Sequence, residues 1–473
     1  MLFNSFEFIF LFLPIILIVY FLLNNYGKEK IAKTWLVVGS LYFYGYFNYS
    51  YLVLILSSIL VNYFIGNLLY SRASMYFQRK LLLTTGVIFN LGALAYFKYY
   101  DFFIENINIL FKTDIGLLKL MLPLGISFFT FQQLSFIVDS YSGKSLKYDF
   151  LSYCLFVTFF PQLIAGPIVF PTEMLPQFED KKNKIINYEN MNRGLYLFSI
   201  GLAKKVLIAD SIAPFADAGF DKMVSLTFIE GWITSISYTM QLYFDFSGYC
   251  DMAMGIALMF NIVLPLNFNS PYKSTNIQEF WKRWHITLGR FLTNYLYIPL
   301  GGNRKGEIKT LINLLIVFLA SGIWHGAGWN FIIWGGFHGF SILIHRVWKN
   351  KGFKMPKLMG WSITMFLINI FWIFFRATNL EIAIKIIKSM FDFRSLKNLI
   401  TLSFRETANP YLGNKSSLIL LIVSIGMALI LKNSHEKQNN IKFNIKNNVE
   451  ITIFFVAAVL LLKRVTSFLY FNF

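Results

Sequence analysis

The stretch LINLLIVFLASGIWHGAGWNFIIW, residues 311–334, decides the fold class of this 473-residue chain. It contains no Asp, Glu, Lys or Arg, and a helix that crosses a bilayer needs about 20 predominantly apolar residues. His325 is its one ionisable residue, and an ionisable side chain at membrane depth is costly enough to indicate a function. The stretch predicts a membrane protein with a candidate functional residue inside its apolar part.

The rest of the chain has a similar composition. It is 56% hydrophobic, 19% aromatic and 14% charged, whereas soluble proteins have about 25% charged residues. Apolar runs recur at residues 6–23, 51–70, 81–100, 120–138, 151–169, 195–215, 311–323, 331–344, 358–375, 417–431 and 449–462. They predict an all-α polytopic integral membrane protein with roughly ten or more spans, the shortest of them re-entrant. Because no repeat or linker divides the chain, we expect a single domain over residues 1–473.

The net charge of +19 is explained by basic cytoplasmic loops, so nucleic acid is not an expected partner. Residues 24–34 hold three lysines against one acid, and residues 71–80 hold three basic residues and no acid. Both loops are expected in the cytoplasm, which places the N-terminus outside. Residues 6–23 lack a preceding basic region and a cleavage signature, and are interpreted as a retained first span.

Sequence signatures of soluble enzymes and of metal sites are missing. GGNRKG at residues 301–306 lacks the spacing of a phosphate-binding P-loop, and no G-x-S-x-G or H-E-x-x-H motif occurs. Cys154 and Cys250 are too few for a disulfide framework or a cysteine metal site. The sequence therefore predicts no metal and no tightly bound cofactor.

Three of the five histidines are candidate site residues. His325 is either a neutral ring satisfied by a nearby helix or a general base, since burial favours the neutral form. The glycines beside it, Gly322, Gly326 and Gly328, allow a backbone or a thin ligand to approach closely. His285, in EFWKRWHITLGRF (279–291), belongs either to an interfacial helix or to an entry site for a phosphate-bearing molecule. His338, in GGFHG, is expected to hydrogen-bond a neighbouring backbone.

Two acids lie in the apolar segment QLYFDFSGYCDMAMGIALMF, residues 241–260. Asp245 and Asp251 at membrane depth require buried partners or a water-filled cavity. We favour a structural role at a local helix break around residues 247–249. A proton or ion path through these acids is the alternative interpretation.

Two longer segments carry a family resemblance. FWKRWHITLGRFLTNYLYIPLGGNRKG (280–306) and SGIWHGAGWNFIIWGGFHG (321–339) resemble the signature regions of the membrane-bound O-acyltransferases (MBOAT). The similarity is to the branch with the membrane proteins of alginate and peptidoglycan O-acetylation. Weaker matches run along the chain at residues 1–15, 125–132, 160–168, 243–255, 372–377 and 468–473. Asn294 departs from the pattern, because many relatives have an aspartate there.

The resemblance implies a ring of transmembrane helices with re-entrant segments around a thinned centre and a through-tunnel, with the signature core at about residues 120–345. It also implies acetyl transfer from cytoplasmic acetyl-CoA, a substrate rather than a bound cofactor, to a hydroxyl reached from outside. His325 matches the family's base and His285 its second polar position, which orients the donor or stabilises developing charge. The expected donor-binding residues are Lys282, Arg283, Arg290, Arg304, Lys305, Trp324 and Asn330, with Asp245, Asp251 and His338 as supporting polar groups.

The implied location is the bacterial cytoplasmic (inner) membrane. Expected partners are membrane lipid, acetyl-CoA and a separate extracytoplasmic esterase-like transferase that carries acetyl to a cell-envelope polysaccharide. Peptidoglycan is the first expected acceptor, and alginate or another exopolysaccharide the next. Two alternatives stay open: D-alanyl transfer to teichoic acid from a carrier protein, and an ion- or proton-coupled transporter that uses Asp245, Asp251 and His325.

Overall fold

A computed structural model describes residues 1–71, 76–144, 148–396, 415–438, 445–462 and 468–469. Within these ranges the chain forms helices, turns and irregular segments and no strand, which confirms the all-α prediction. Parts of the basic loop 71–80 and of the terminal motif 468–473 lie outside the described residues. Cys154 and Cys250 are both buried free thiols.

The helices follow one another with short connections. In chain order they are α1 (Phe8–Asn25), α2 (Glu29–Gly45), α3 (Ser50–Ser71), α4 (Tyr76–Phe111), α5 (Ile126–Tyr141), α6 (Phe150–Thr158), α7 (Phe160–Leu163), α8 (Pro171–Glu179), α9 (Tyr188–Ala203), α10 (Asp210–Asp217), α11 (Phe228–Met259), α12 (Ile277–Arg283), α13 (Ile286–Leu292), α14 (Glu307–His325), α15 (Trp329–Asn350), α16 (Lys357–Arg376), α17 (Leu380–Met390), α18 (Lys415–Ile430), α19 (Ser434–Gln438) and α20 (Ile445–Leu460). Several are interrupted or extended by π-helical turns, including one at Ala95–Tyr99 inside α4.

Among the described residues, five helices are long and apolar enough to cross a membrane: α1, α3, α4, α14 and α16. The chain is therefore a multi-pass membrane protein. Other apolar runs form shorter or interior helices instead of simple spans. The run at 151–169 breaks at Phe159 into α6 and α7 and is almost wholly buried. The run at 120–138 is irregular up to Gly125 and then enters α5, which buries polar side chains such as Gln132 and Gln133.

The centre of the molecule is built on α11, which is continuous from Phe228 to Met259. The expected helix break at residues 247–249 is therefore wrong. Gly248 instead faces α9, where an added Cβ would lie 2.8 Å from the carbonyl oxygen of Gly201. Gly255 makes an equivalent contact, because an added Cβ would lie 2.6 Å from the carbonyl oxygen of Gly194. The glycines let two antiparallel helices approach closely, which is the usual way that membrane helices gain packing energy.

The two aspartates of α11 lie in buried ion pairs next to this contact. Lys205 Nζ lies 2.6 Å from the Asp245 carboxylate and 2.8 Å from that of Asp210. Lys204 Nζ lies 2.6 Å from the Asp251 carboxylate. Because buried charges need paired and hydrogen-bonded partners, this geometry favours the structural interpretation of Asp245 and Asp251 over an ion path.

Candidate active site

His325 lies at the last position of α14, directly before the turn into α15. The turn is possible because the two helices approach closely at a glycine: an added Cβ on Gly322 would lie 2.3 Å from the carbonyl oxygen of Phe331. Gly322 therefore serves helix packing rather than ligand access. Gly326 and Gly328, in contrast, line cavities at this end of α14.

His285 lies at the break between α12 and α13, where its φ of 45° is in the left-handed region. Residues other than glycine rarely adopt this backbone conformation, so the surrounding structure must hold His285 in it. An extended segment does so: Asn269 N–H donates to the carbonyl of Arg283 at 2.9 Å, and Ile286 N–H donates to that of Asn267 at 3.0 Å. The break thus presents His285 at a fixed point.

The side chain of Asn267 fixes the tautomer of His285. Its Oδ1 accepts hydrogen bonds from Thr287 N–H at 3.2 Å and from the Thr287 hydroxyl at 2.9 Å. A backbone N–H can only donate, so this atom of the amide is the oxygen. His285 Nδ1, 3.1 Å from the same oxygen, must then carry the proton. The lone pair of the neutral ring is on Nε2.

The fold brings the two histidines together, with ring centroids 6.3 Å apart. Both are buried, with 1% of His285 and 2% of His325 exposed. Aromatic rings enclose His325, including Trp334 and Phe375, each with its centroid 5.1 Å away. Trp324 lies beside both histidines, 6.1 Å from His285 and 4.8 Å from His325. The result is a pair of imidazoles in an apolar, aromatic environment.

A cavity of about 730 Å³ lies on one side of this pair. His285 is part of its wall, together with Ser321 of α14 and four basic side chains. The basic residues are Lys282, Arg290, Arg346 and Lys349. We call this space the inner cavity, because its cations are typical of the cytoplasmic side of a membrane protein.

Only part of the expected donor-binding set lies at the inner cavity. Arg290 lines it, but its guanidinium makes two hydrogen bonds to the Glu173 carboxylate, at 2.7 and 2.9 Å. Arg283 pairs with Glu279 at 2.9 Å. Arg283, Arg304, Lys305 and Trp324 are not among the lining residues. Asn294, the position that departs from the family pattern, does line the inner cavity.

A second cavity, of about 960 Å³, lies at the turn that follows His325. Residues of this turn line it, including Ala327, and so do the side chains of Asn330 and Arg376. Asn330, expected with the donor residues, thus lines this second cavity and not the inner one, and it donates to the Ala377 carbonyl at 2.6 Å. We call this space the outer cavity. His325 lines neither cavity and stands between them in the chain, since Ser321 lines one and Ala327 the other.

Comparison with known proteins decides the family. The sequence profile of MBOAT, the membrane-bound O-acyltransferase family, matches residues 9–384. The chain belongs to this family. It is 46% identical to the peptidoglycan O-acetyltransferase of Helicobacter pylori, over 100% of this chain and 98% of that protein. It is 38% identical to the probable alginate O-acetylase AlgI of Pseudomonas aeruginosa, over 83% of this chain and 75% of that protein.

A third relative is more distant. The teichoic acid D-alanyltransferase of Bacillus subtilis is 26% identical over 52% of this chain and 65% of that protein. The resemblance in the two signature segments is thus confirmed as MBOAT membership, and the chain is an acyltransferase. The transporter alternative is not favoured by any of these relatives.

His338, the other histidine in an MBOAT signature segment, has a partner that the sequence did not predict. Its Nδ1 accepts a hydrogen bond from Trp281 Nε1 at 3.1 Å, so the expected backbone partner is wrong. The ring is completely buried and lies 4.8 Å from that of Trp334. His338 therefore ties α15 to α12 beside the histidine pair, and it lines neither the inner nor the outer cavity.

Sequence reasoning missed several residues of this MBOAT site. Arg346 and Lys349 stand one turn apart on α15, a spacing that indicates a shared face, and neither is among the expected donor-binding residues. Asn267 lies in the apolar segment before α12 and has no local signal of its role. Its importance follows from contacts that span 18 to 20 residues of sequence.

Replacement of Asn267 by leucine should misplace His285. The change leaves the Nδ1–H of His285 and the donors of Thr287 without their acceptor, and each buried unsatisfied donor costs about 1–3 kcal/mol. We expect lower thermal stability and loss of transferase activity in the purified protein. Asn369→Leu is the matched control, because Asn369 is a buried amide bonded to Thr239 and Ser235. Equal activity losses in both variants would contradict a specific role for Asn267.

Proposed function

We propose that this chain moves acetyl from cytoplasmic acetyl-CoA across the membrane for O-acetylation of a cell-envelope polysaccharide, with peptidoglycan as the first candidate. The observation that carries the proposal is the buried pair His285 and His325: His285 is part of the wall of the basic inner cavity, and the turn directly after His325 lines the outer cavity. The proposal is supported by the 46% identity to a peptidoglycan O-acetyltransferase over the whole chain. It places the protein in the bacterial cytoplasmic membrane with its N-terminus outside.

The inner cavity suits a phosphate-bearing thioester. Lys282, Arg346 and Lys349 line one space, and no ion pair involves them among the residues that the structure describes. Cations without a carboxylate partner are available for the phosphates of a nucleotide. Other parts of the wall carry apolar side chains such as Leu288, Leu314 and Val317, beside neutral polar ones such as Ser321 and Asn294. The wall fits the uncharged arm that carries the acetyl thioester towards His285.

The proposed reaction uses the two buried histidines. A hydroxyl oxygen of the acceptor attacks the thioester carbonyl, and a C–O bond forms as neutral His325 takes the hydroxyl proton. The C–S bond then breaks, and His325 returns the proton to the departing thiolate, which leaves as free CoA. The aromatic surroundings exclude water, which disfavours wasteful hydrolysis of the thioester.

The tautomer of His285 favours one of its two expected roles. Stabilising an oxyanion requires a donor aimed at the oxygen, but the one proton of the neutral ring is engaged by Asn267. Nε2 accepts a hydrogen bond, for example from an amide N–H of the donor's pantetheine arm. We therefore assign His285 to orientation of the donor rather than to charge stabilisation.

The outer cavity is the proposed acceptor side. Its wall includes the carboxylates of Asp217 and Asp221, which pair with Arg376 at 3.0 and 2.5 Å, and aromatic rings such as Trp329. Carboxylates, amides and aromatic faces together recognise hydroxyl-bearing molecules through hydrogen bonds and apolar contact. A separate extracytoplasmic esterase-like transferase is the proposed partner that takes the acetyl group from this side to polysaccharide.

Two assays separate the candidate acyl donors and the candidate acceptors. Protein purified in proteoliposomes is incubated with acetyl-CoA or with a D-alanyl carrier protein, and release of free thiol is measured. We expect thiol release from acetyl-CoA only. Thiol release from the carrier protein alone would overturn the donor assignment in favour of D-alanyl transfer. Alginate or another exopolysaccharide becomes the acceptor if deletion of the gene lowers its ester-linked acetate and leaves that of peptidoglycan unchanged.

The double variant Arg346→Gln/Lys349→Gln should weaken acetyl-CoA binding. A hydrogen bond to a charged group contributes about 1.5–3 kcal/mol when buried, and solvent screening at a cavity mouth lowers this. We expect KM for acetyl-CoA to rise about 10-fold, with kcat nearly unchanged and the effect smaller at high salt. The control is Lys354→Gln/Lys357→Gln, which alters two exposed lysines outside the cavity. An unchanged KM in the first double variant would exclude these residues from donor binding.

A further inference from the structure

The end of α14 is satisfied by groups from another helix. The last carbonyls of a helix have no partner within it and need donors from elsewhere. Gly326 N–H supplies one donor, to the carbonyl of Gly322 at 3.4 Å. The next three carbonyls belong to Ile323, Trp324 and His325, the last of them the proposed base. Their donors decide how firmly His325 is held.

Two consecutive residues of α4 supply these donors. The Tyr99 hydroxyl donates to the Ile323 carbonyl at 2.7 Å. Lys98 Nζ donates to the carbonyls of Trp324 at 2.6 Å and His325 at 3.2 Å. Both residues belong to the π-helical turn at Ala95–Tyr99, and such turns inside an α-helix are rare and frequent at functional sites.

The contacts of Lys98 are those of a helix C-terminal cap rather than of an ion pair. We call Lys98 and Tyr99 together the cap of α14. The three N–H groups of Lys98 match three oxygens: the two carbonyls and the Ser127 hydroxyl at 3.3 Å. No ion pair involves Lys98 in the described part of the chain, so its N–H groups are satisfied by neutral oxygens. A cation at the carboxyl end of a helix is favourable because the helix dipole is negative there.

The cap also reaches the aromatic side chain next to His325. Trp324 Nε1 donates to the Ser127 carbonyl at 3.4 Å, and Lys98 Nζ lies 5.9 Å from the centre of the Trp324 ring. Trp324 in turn lies beside both histidine rings, 6.1 Å from that of His285 and 4.8 Å from that of His325. A shift of the cap would therefore move both the backbone of His325 and the ring beside it.

We infer that Lys98 and Tyr99 are positioning residues that hold the last turn of α14 and so set the place of His325 relative to His285. The inference rests on the proposed catalytic role of His325. It assigns Lys98 no contact with substrate. Its effect is on the geometry of the reacting groups, and it is separate from donor binding at the inner cavity, because Lys98 and Tyr99 are not among the residues that line that cavity.

The test compares Lys98→Met, Lys98→Arg and Tyr99→Phe in detergent-purified protein with acetyl-CoA as the donor. A displacement of about 1 Å in reacting groups costs about 100-fold in rate, so we expect kcat of Lys98→Met to fall by about that factor with KM unchanged. Lys98→Arg keeps a charged donor and should recover at least 10% of wild-type kcat. Tyr99→Phe removes one hydrogen bond and should lower kcat less than Lys98→Met does.

Hydrogen exchange gives a readout that does not depend on activity. Lys98→Met should raise deuterium uptake in the peptide covering residues 321–331, and Lys119→Met, an exposed lysine in the loop after α4, should not. Wild-type kcat in Lys98→Met, in an assay where His325→Ala is inactive, would overturn the inference. Activity in His325→Ala would instead overturn the proposed function. Deuterium uptake in Lys98→Met would then decide about the cap alone: raised uptake in residues 321–331 would support it, and unchanged uptake would overturn it.

Discussion

Replacement of His325 by alanine is expected to lower the rate of acetyl transfer by about 10²–10⁴-fold, the usual contribution of a general base. The physical reason is that the attacking hydroxyl loses its proton acceptor in a site that excludes water. The side chain is enclosed by aromatic rings and is 2% exposed, so water cannot easily replace it as a base. The donor cavity is lined by other residues, and KM for acetyl-CoA should stay within about threefold of the wild-type value.

The measurement is thiol release from acetyl-CoA by purified protein in proteoliposomes, with an acceptor hydroxyl present. His435→Ala is the matched control, because His435 lies in α19 and contributes to neither cavity. The melting temperature of both variants should remain within a few degrees of wild type. Retention of full turnover in His325→Ala would show that the acceptor is deprotonated elsewhere.

Replacement of Lys205 by methionine is expected to destabilise the protein by about 3–5 kcal/mol, the cost of removing one partner from a buried ion pair. Lys205 is 1% exposed and lies between two carboxylates, those of Asp245 and Asp210. Without the ammonium, two acids remain at a buried site with no cation between them. Because α9, α10 and α11 meet there, the loss should lower the stability of the whole helical core.

Denaturation by SDS, followed by intrinsic tryptophan fluorescence, measures the change in the free energy of unfolding. The control is Lys437→Met, which removes a pair with Glu450 whose side chains are 40% and 34% exposed. An exposed pair contributes about 0–1 kcal/mol, so this variant should be close to wild type. Equal stability in the two variants would contradict a structural role for the Lys205 cluster.

The sequence predicts the fold class well and the burial of individual helices poorly. Apolar runs require helices in a membrane, so the all-α architecture follows from them. The same runs do not distinguish a lipid-facing helix from one enclosed by others. In α5 the polar residues Gln132 and Gln133 are as buried as Ile126 and Ile137, and this placement depends on packing against distant helices.

The candidate site shows a similar division. His325 and His285 are visible because ionisable residues in apolar or aromatic segments are unusual. Their neighbours are not visible: Lys98 contacts the His325 carbonyl across 227 residues of sequence, and Arg290 is paired with Glu173 across 117. Local spacing carries no information about such contacts. The basic charge of Arg290 and the resemblance predict a phosphate ligand, and neither shows the pairing of its guanidinium with Glu173.

Ester-linked acetate in the cell envelope tests the proposed acetyl transfer in living cells. A strain that lacks the gene is complemented with wild-type protein or with His325→Ala at equal membrane levels, and acetate released from purified peptidoglycan by mild base is measured. We expect deletion to lower the released acetate, wild-type protein to restore it and His325→Ala not to restore it. Full restoration by His325→Ala would exclude His325 as the base, and no change in envelope acetate on deletion would exclude the proposed function.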